Sequence, residues 1–305
     1  MFPLSYTAKE DDLGIPVRRV LTEVFLMSSS HISRLKRRDG GILLNGAPCY
    51  VTSRLTPGDT VSALISDPEG TVTLEPMELP LDIVYEDEWL IVINKPAGLT
   101  VHPERNGMGG SVENALTHYL KADEYVHTVS RLDRGTSGLM TVAKSGYIHE
   151  RMKRLLHTEA FTKEYLAVCE GAPHAAHGII RLPLAHPAGE NFRMEVSESG
   201  HACETEYFLE AVSGERSLVR LIPHTGRMHQ LRAHMVAEGC PITGDWLYGE
   251  EIPEIAHAAL HSYRLRFIHP MTGKTLTLFA PVPQEIRALI PDQNIWNRCT
   301  PAPVL

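Results

Sequence analysis

One short segment constrains the fold of this chain more than any other feature of the sequence. It is SDPEGTVTLEPMELP, residues 66–80, which is acidic and is interrupted by Pro68, Gly70, Pro76 and Pro80. Because proline lacks the backbone donor that helices and central strands need, no regular element can continue through this stretch. The 305 residues therefore separate into two units of unequal size, as a chain of this length allows.

We predict three consecutive segments, with the first boundary inside this linker. Residues 1–72 form a small N-terminal domain, residues 73–290 form the main domain, and residues 291–305 form a C-terminal tail. The tail contains three prolines and little hydrophobic periodicity, which predicts a loosely held segment.

The N-terminal segment predicts two helices. Apolar residues recur at helical spacing over Val17–Met27, and Ser29 or Ser30 can cap a second helix over His31–Arg38. A strand over Ile42–Leu44 then enters a tight turn at the Asn-Gly pair that follows, because Asn-Gly tolerates positive φ angles.

Charge is distributed unevenly along the chain. The whole chain carries a net charge of −8, which argues against a nucleic-acid partner, since phosphate binding requires an excess of Lys and Arg. Between Gly14 and Ile65, however, seven basic residues stand against three acidic ones, a local net charge of +4. A local basic face of this kind can bind phosphates while the rest of the surface stays acidic.

Composition indicates a globular protein of a reducing compartment. The chain is 43% hydrophobic and 22% charged, within the range of folded domains. Its five cysteines are scattered without a CxxC pair, and no apolar run approaches the ~20 residues that span a bilayer. We therefore expect a cytoplasmic protein without a membrane segment.

Beyond the linker, short apolar strands alternate with amphipathic helices. The pattern predicts a strand, a helix, a strand, a helix and a strand at Trp89–Asn94, Val112–Leu120, Gly138–Lys144, Ile148–Leu156 and Tyr165–Val168. Apolar residues on both helices recur at i, i+3 and i+4, so each helix has one face for a core. The pattern is that of an α+β protein.

Four polar, glycine-punctuated segments lie beside these elements, where functional sites usually occur. They span residues 94–103, 130–138, 163–165 and 225–232. In the second, Asp133 lies between Arg131 and Arg134, and cationic neighbours favour an ionised carboxylate that can act as a nucleophile or a base. An isolated R-x-D-R pattern is more often only a structural ion pair.

The string RLDRGTSGL resembles the HRLDRxTSGL motif of pseudouridine synthases of the RluA/RluD type. DEWLIVINKPAGLTVHP precedes it, and FTKEYLAVCEG, HTGRMHQLRAHMVAEGCPITGDWLYG and LHSYRLRFIHPMTGK follow in the order of that family. SSSHISRLKRRDGGILLNG and LTPGDTV resemble the S4 RNA-binding domain, so the likeness extends from about Gly14 to Pro283. Ser130 and Gly135 depart from the usual His and Asp, at positions that do not carry the essential carboxylate.

The resemblance implies a small S4-like α/β RNA-binding domain followed by a mixed, largely antiparallel β-sheet catalytic domain flanked by helices. It implies an isomerase that detaches uracil from C1′ of a uridine in RNA and rejoins it through C5, with no cofactor, metal or nucleotide. Asp133 would act at the ribose, either attacking C1′ or removing the C2′ proton. Arg232 would form a salt bridge with Asp133, and Tyr165 would stack on the uracil.

Five further residues are assigned to RNA. Arg131 would fill the space left by a flipped-out nucleotide, and Leu231 would pack against the uracil unless it only fills the core. Lys95 would meet a backbone phosphate or brace the catalytic loop. Arg37 and Arg38 belong to the basic face of the S4-like domain. We expect large-subunit ribosomal RNA as the partner, with transfer RNA as the alternative, and a monomeric enzyme.

Other classes of function compete with this interpretation. The chain could be a binding module with an inactive catalytic domain, although the intact site residues argue against it. His224, His229 and His234 suggest a metal hydrolase, but no HExxH motif or nearby carboxylate pair completes a metal site. A glycosidase would need a second carboxylate. A dehydrogenase or an ATPase would need a phosphate-binding glycine motif that the sequence lacks.

Overall fold

The computed structural model describes residues 4–65, 74–103, 110–121, 126–156 and 158–299. Within these ranges the chain forms a small N-terminal sheet and a large sheet of ten strands. Part of the predicted linker, residues 66–73, lies outside the described residues, and residues 74–82 contain no helix or strand. No helix in the described part of the chain is long and apolar enough to cross a membrane.

The N-terminal sheet consists of four short antiparallel strands in the spatial order β1-β4-β2-β3. They are β1 (Leu4–Thr7), β2 (Ile42–Leu44), β3 (Ala47–Pro48) and β4 (Thr60–Ala63). The predicted hairpin between β2 and β3 is confirmed, with φ of 53° at Asn45 and 78° at Gly46. The sequence analysis missed β1, because four alternating residues give too weak a pattern.

Two short helices pack on this sheet. The first, α1 (Val17–Arg19), continues as a wider helical turn over Val20–Val24. It ends before Met27, and Val17, Val20 and Leu21 are fully buried. The predicted helix is thus present but shorter than its hydrophobic pattern suggested.

The second N-terminal helix corrects the sequence prediction at both ends. α2 (Ser29–Leu35) is capped by Ser28, whose side chain accepts a hydrogen bond from the His31 N–H at 3.2 Å. The cap therefore lies earlier than predicted. The helix ends before Arg37 and Arg38, which lie in the turn that leads to β2. A turn follows the helix because the next residues include two consecutive glycines.

The large sheet is mixed and mostly antiparallel. Its ten strands are β5 (Ile83–Glu86), β6 (Leu90–Lys95), β7 (His127–Thr128), β8 (Ser137–Ala143), β9 (Phe161–Glu170), β10 (His177–Ile180), β13 (Thr205–Ser213), β14 (Arg216–Pro223), β15 (Leu260–Ile268) and β16 (Thr275–Phe279). A separate hairpin-like pair consists of β11 (Leu184–Ala185) and β12 (Glu195–Val196). The spatial order is β10-β13-β14-β9-β15-β8-β6-β5, with β7 beside β8 and β16 beside β15. The central pair β8 and β15 runs in parallel, and the predicted fold class is confirmed.

Both faces of the large sheet are covered. Successive residues of β6 enter opposite cores, Leu90 and Val92 on one side and Ile91 and Ile93 on the other. The helices of this region are α3 (Val112–Tyr119), α4 (Gly146–Leu155), α5 (Gln230–Ala237), α6 (Gln284–Ala288) and α7 (Gln293–Cys299). The predicted strands and helices between residues 89 and 168 are therefore confirmed to within a few residues.

The C-terminal segment differs from its prediction. Residues 293–299 form α7, in which Trp296 is fully buried and its indole N–H donates to the Ile290 carbonyl at 2.9 Å. The prediction of a loosely held tail is therefore wrong for these residues, and residues 300–305 lie outside the described range. Seven residues are too few to display a helical period, so only packing reveals the helix.

The N-terminal region shares a core with one face of the large sheet. Tyr147, on α4, donates a hydrogen bond from its hydroxyl to the Phe25 carbonyl at 2.6 Å. Its ring lies 5.8 Å from the ring of His31. Phe25 and Tyr147 both belong to the same buried cluster, so the two regions pack together through apolar contact.

Candidate active site

A cleft of about 1120 Å³ opens beside the loop that carries Asp133. Among the described residues that line it, Asp133 is the acidic member, beside three arginines, two lysines and four histidines. The arginines and lysines are Arg131, Arg134, Arg232, Lys153 and Lys163, and the histidines are His102, His149, His229 and His257. A concave basic surface raises the local concentration of a polyanion. The cleft therefore has a local excess of positive charge, although the whole chain carries a net negative charge.

Hydrogen bonds between two loops hold the Asp133 segment. The Thr136 N–H donates to the Asp133 carbonyl at 3.1 Å, which closes a turn. The Gly98 N–H donates to the Arg134 carbonyl at 2.8 Å, and the Arg134 Nε donates to the Gly98 carbonyl at 3.1 Å. The Asp133 side chain, 29% exposed, is therefore presented to the cleft from a braced loop.

The strand after this loop requires glycine at position 138. Gly138 has a φ of 109°, and a Cβ there would lie 2.3 Å from the Ser262 carbonyl oxygen. At this point β8 pairs in parallel with β15, and the Ser137 Oγ lies 2.9 Å from the His261 Nδ1. The close approach of two central strands fixes where the Asp133 loop ends.

Lys95 lies behind the loop, at the end of β6. It is fully buried, and its Nζ donates to the carbonyls of Pro96 and Leu99 at 2.8 Å and of Arg134 at 3.3 Å. Burial lowers the pKa of Lys95 to about 8, and the charge of Asp133 acts in the opposite direction. Of the two roles left open by the sequence, these contacts favour bracing of the loop over contact with a phosphate.

Arg232 connects Asp133 to a second carboxylate that the sequence analysis missed. Its Nη1 lies 3.7 Å from the Asp133 Oδ2. Its Nε and Nη2 donate to the Asp245 carboxylate at 2.6 and 2.5 Å. Asp245 is fully buried and the Arg232 side chain is 9% exposed. The two-pronged pairing orients the guanidinium so that its remaining nitrogen faces Asp133.

His229 and Tyr248 complete the surroundings of Arg232. The His229 Nε2 lies 4.0 Å from the Asp133 Oδ2, and its Nδ1 lies 3.2 Å from the Tyr248 hydroxyl. The Arg232 guanidinium lies over the Tyr248 ring, 4.9 Å from its centre. Burial lowers the pKa of His229 below its usual value, against the influence of Asp133. The imidazole is therefore mostly neutral at neutral pH.

A smaller pocket adjoins the cleft and contains Tyr165 and Leu231. Its lining includes Asp133, Arg131 and Arg232, which also line the cleft. Tyr165 is 5% exposed and Leu231 is 6% exposed, and both also belong to the main core. Burial raises the pKa of Tyr165, so its phenol stays protonated at neutral pH. The structure thus brings five sequence-predicted site residues together around the smaller pocket: Arg131, Asp133, Tyr165, Leu231 and Arg232.

Lys163, two residues before Tyr165 on β9, lines both the cleft and the smaller pocket. Burial lowers the pKa of Lys163 to about 8. The sequence analysis included its segment among the polar loops but gave Lys163 no role. Burying a charged lysine among other basic residues costs free energy. An anionic ligand in this cavity would offset that cost.

Gln230 fixes the segment that leads into α5. Its Oε1 accepts from the Thr225 hydroxyl at 2.7 Å and from the Arg227 N–H at 3.0 Å. Its Nε2 donates to the Glu204 carbonyl at 2.9 Å. The buried amide thus ties this loop to β13 and sets the start of the helix that carries Leu231 and Arg232.

Three sequence-predicted arginines occupy different positions relative to the pockets. Arg131 is exposed at the lining of both pockets. Arg37 is exposed in the turn after α2, and Arg38 is partly buried there. Neither is among the described residues that line the cleft.

At Gly135 a Cβ would meet the His257 Cβ at 3.6 Å, an ordinary contact, so sterics do not require glycine there.

The three histidines that suggested a metal site have separate partners. His224 lies 3.2 Å from Glu206, and His234 is buried with its Nδ1 2.8 Å from the Thr205 hydroxyl. His229 faces Asp133. Among the described residues no group of three potential ligands could hold a metal ion.

Comparison with known proteins covers both the fold and the candidate site. A family profile described as RNA pseudouridylate synthase matches residues 89–237. The matched region contains Lys95, Asp133, Tyr165 and Arg232 and ends before Asp245.

Similar proteins align along most of the chain. The chain is 33% identical, over 94% of its length and 99% of the relative, to a Bacillus subtilis (strain 168) protein named uncharacterized RNA pseudouridine synthase YjbO. It is 34% identical to ribosomal large subunit pseudouridine synthase D of Escherichia coli (strain K12), over 94% of this chain and 93% of the relative. The solved structure of human RNA pseudouridylate synthase domain containing 4 matches with a TM-score of 0.55 and 25% identity, over 68% of this chain and 92% of that one.

Proposed function

Because the chain belongs to the RNA pseudouridylate synthase family, we propose that it isomerises uridines of large-subunit ribosomal RNA, with Asp133 acting at the ribose of a flipped-out nucleotide. Membership in the family makes the chain an RNA-modifying isomerase. The identity of the RNA and the roles of individual residues are the proposal.

The position of Asp133 carries the assignment of the reacting group. It is the carboxylate on a basic cleft, it faces Arg232 at 3.7 Å, and its loop is braced by Lys95 and Gly98. A permanently charged guanidinium at this distance can pair with the carboxylate and hold it in position. Attack on C1′ and removal of the C2′ proton both require an anionic carboxylate.

The neighbours of Asp133 fit the handling of one extruded base. Enclosing a uracil requires flipping the nucleotide out of its stack, which costs roughly a few kcal/mol. Tyr165 offers an aromatic face in the smaller pocket, and Leu231 an apolar surface beside it. Base stacking on an aromatic ring contributes ~1–3 kcal/mol. Arg131, exposed at the edge of both pockets, is placed to occupy the space that the base leaves.

The N-terminal region, residues 1–72, is proposed to be an S4-like RNA-binding domain. Its described part combines a four-stranded sheet, two helices and a basic turn that exposes Lys36 and Arg37. Pseudouridine synthase D of Escherichia coli is named for the large ribosomal subunit, and its match to 94% of this chain extends into this region. The basic turn supports an RNA partner, and the name of this relative supports ribosomal RNA over transfer RNA.

Carbodiimide mapping of pseudouridine in total RNA tests the proposal. Cells with the intact gene, cells without it, and cells with an Asp133→Ala copy are compared. We expect one or more discrete signals in large-subunit ribosomal RNA that disappear in both the deletion and the mutant. A signal lost only from transfer RNA would refute the substrate, and a signal retained with Asp133→Ala would refute the role of Asp133.

A further inference from the structure

Two exposed aromatic side chains on the cleft are not used by the reaction described above. Phe192 is 59% exposed and Trp246 is 61% exposed, and both line the cleft that contains Asp133. Large aromatic rings are normally buried or held against a partner, because their exposure to water is unfavourable. Their place on a basic cleft therefore points to a ligand with an apolar, planar face.

The exposure of Phe192 is not due to a loosely attached loop. Two residues after Phe192, Met194 is buried, and its N–H donates to the Tyr248 hydroxyl at 2.7 Å. Arg193, the residue directly after Phe192, is held as well, because its carbonyl lies 2.9 Å from the His186 Nδ1. The segment is thus anchored next to the ring, while the ring itself faces outward.

The hydrogen bond from the Met194 N–H to the Tyr248 hydroxyl connects the Phe192 segment to the segment that carries Trp246. Trp246 lies between Asp245, which pairs with Arg232, and Tyr248, whose ring lies under the Arg232 guanidinium. Asp245 and Tyr248 therefore point inward to the reacting site, and Trp246 between them is exposed on the cleft. The segments that carry the two exposed rings are therefore both connected to Arg232 through Tyr248.

Resting on the proposed function, we propose that Phe192 and Trp246 form a stacking subsite for unpaired nucleobases that flank the target uridine. A nucleobase presents a π-face of the size of these rings, and the surrounding Arg, Lys and His residues suit its phosphates. In a regular duplex the flanking bases are stacked on each other and cannot use such a surface. The subsite therefore selects uridines in loops or bulges over uridines in helices.

Fluorescence and binding measurements on the full chain test the subsite. The probe is a hairpin oligoribonucleotide with uridines in an unpaired loop, compared with a duplex of the same composition. The chain has three tryptophans, and of these Trp296 is fully buried while Trp246 is exposed on the cleft. We expect the hairpin to quench tryptophan fluorescence and Trp246→Phe to abolish most of the quenching while affinity stays within about threefold, because phenylalanine still stacks.

Removal of the rings should weaken binding selectively. We expect Phe192→Ala and Trp246→Ala each to raise the Kd for the hairpin by about 5- to 100-fold and to leave the Kd for the duplex within about twofold. Replacing the bases beside the target uridine with abasic nucleotides should remove most of the difference between wild type and these variants. The matched control is Val212→Ala, which shortens an apolar side chain that is 56% exposed and lies outside the cleft lining.

Failure of the subsite and failure of the proposed function give different results. If the wild type forms pseudouridine in large-subunit ribosomal RNA but the alanine variants bind the hairpin as tightly as Val212→Ala, the subsite is wrong and the function stands. Equal losses for hairpin and duplex would also overturn the subsite, because they would indicate a general structural defect. Absence of any pseudouridine signal from the wild-type gene would refute the function whatever the binding results.

Discussion

Arg232 in the cleft and Arg37 in the N-terminal turn carry the same charge in opposite surroundings. The Arg232 side chain is 9% exposed and is held by two hydrogen bonds to a fully buried carboxylate. Arg37 is exposed in a turn after a seven-residue helix. The Arg232 guanidinium is therefore held in one orientation, whereas the exposed Arg37 side chain can reorient toward a nearby phosphate.

The difference separates two uses of positive charge. A buried, hydrogen-bonded ion pair fixes atoms relative to each other and is poorly screened by salt. An exposed cation contributes mainly to the attraction of a polyanion, and salt weakens that contribution. Substitutions in the cleft should therefore change the rate of reaction, and substitutions in the turn should change salt-dependent binding.

The largest effect is expected at Asp133. Asp133→Asn preserves the size of the side chain but removes the anion, so we expect kcat to fall by at least ~10³-fold. The Kd for RNA should not rise, because the cleft loses an anionic group and keeps its cations. Single-turnover assays on a ribosomal RNA transcript measure the rate, and filter binding measures the affinity. Turnover near that of the wild type would remove Asp133 from the mechanism.

Asp245 should come second. Asp245→Asn replaces one acceptor with an NH₂ group, so Arg232 loses its two-pronged partner and its orientation toward Asp133. A misplacement of about 1 Å can reduce a rate by ~10²-fold, and we expect a loss of that order in kcat with little change in KM.

Loss of stability must be separated from loss of position at Asp245. The matched control is Asp87→Asn, which removes the charge of another carboxylate, in hydrogen-bond contact with His269 at the opposite end of β6 from Lys95. Both variants should lose stability, but Asp87→Asn should retain kcat within about threefold when folded protein is assayed. Equal losses of kcat in the two variants would show that Asp245 has only a structural role.

A smaller effect is expected at the N-terminal turn. We expect Arg37→Glu together with Arg38→Glu to weaken RNA binding by about tenfold at low salt and less at high salt, with kcat at saturating RNA unchanged. Lys274→Glu, at an exposed site in the turn between β15 and β16, is the control for charge reversal elsewhere. Binding that is unaffected at low salt would exclude this turn from the RNA interface.

The smallest effect concerns pH. Because burial lowers the pKa of Lys163 to about 8, its side chain is charged below that pH and loses its charge above it. RNA affinity should therefore fall a few-fold as pH rises from about 7 to 9. Lys163→Arg should remove most of this fall, since arginine keeps its charge. The pKa of Lys95 is also lowered to about 8, and Lys95 titrates in both proteins. The difference between the two pH profiles therefore reports on Lys163. An identical pH profile in the variant would exclude Lys163.

Much of the fold and of the candidate site could be predicted from local patterns. The Asn-Gly hairpin follows from the φ angles that the two residues tolerate, and α3 and α4 follow from apolar residues at helical spacing. The loops around Asp133, Tyr165 and Arg232 were located because polar, glycine-punctuated segments flank apolar elements. All these signals lie within a few residues of one another along the chain.

The contacts that give the site its geometry could not be predicted in this way. Arg232 pairs with Asp245, 13 residues further along the chain. No local pattern in the sequence predicts that this carboxylate is buried. Lys95 is an ordinary charged residue in the sequence, and only the packing of its loop against Arg134, 39 residues on, turns its ammonium inward. Trp296 likewise belongs to the core because β13 and the chain around Ile290 provide a surface for α7.

The sequence by itself determined the Asn-Gly hairpin, most of the helices and strands between residues 89 and 168, and the polar loops in which the candidate site residues lie. The tertiary structure alone decided which of those residues face the cleft, which brace it from behind, and which carboxylate orients Arg232. The reason is physical: backbone preferences and hydrophobic periodicity act over a few neighbouring residues, whereas burial and ion pairing depend on segments that only the folded chain brings together.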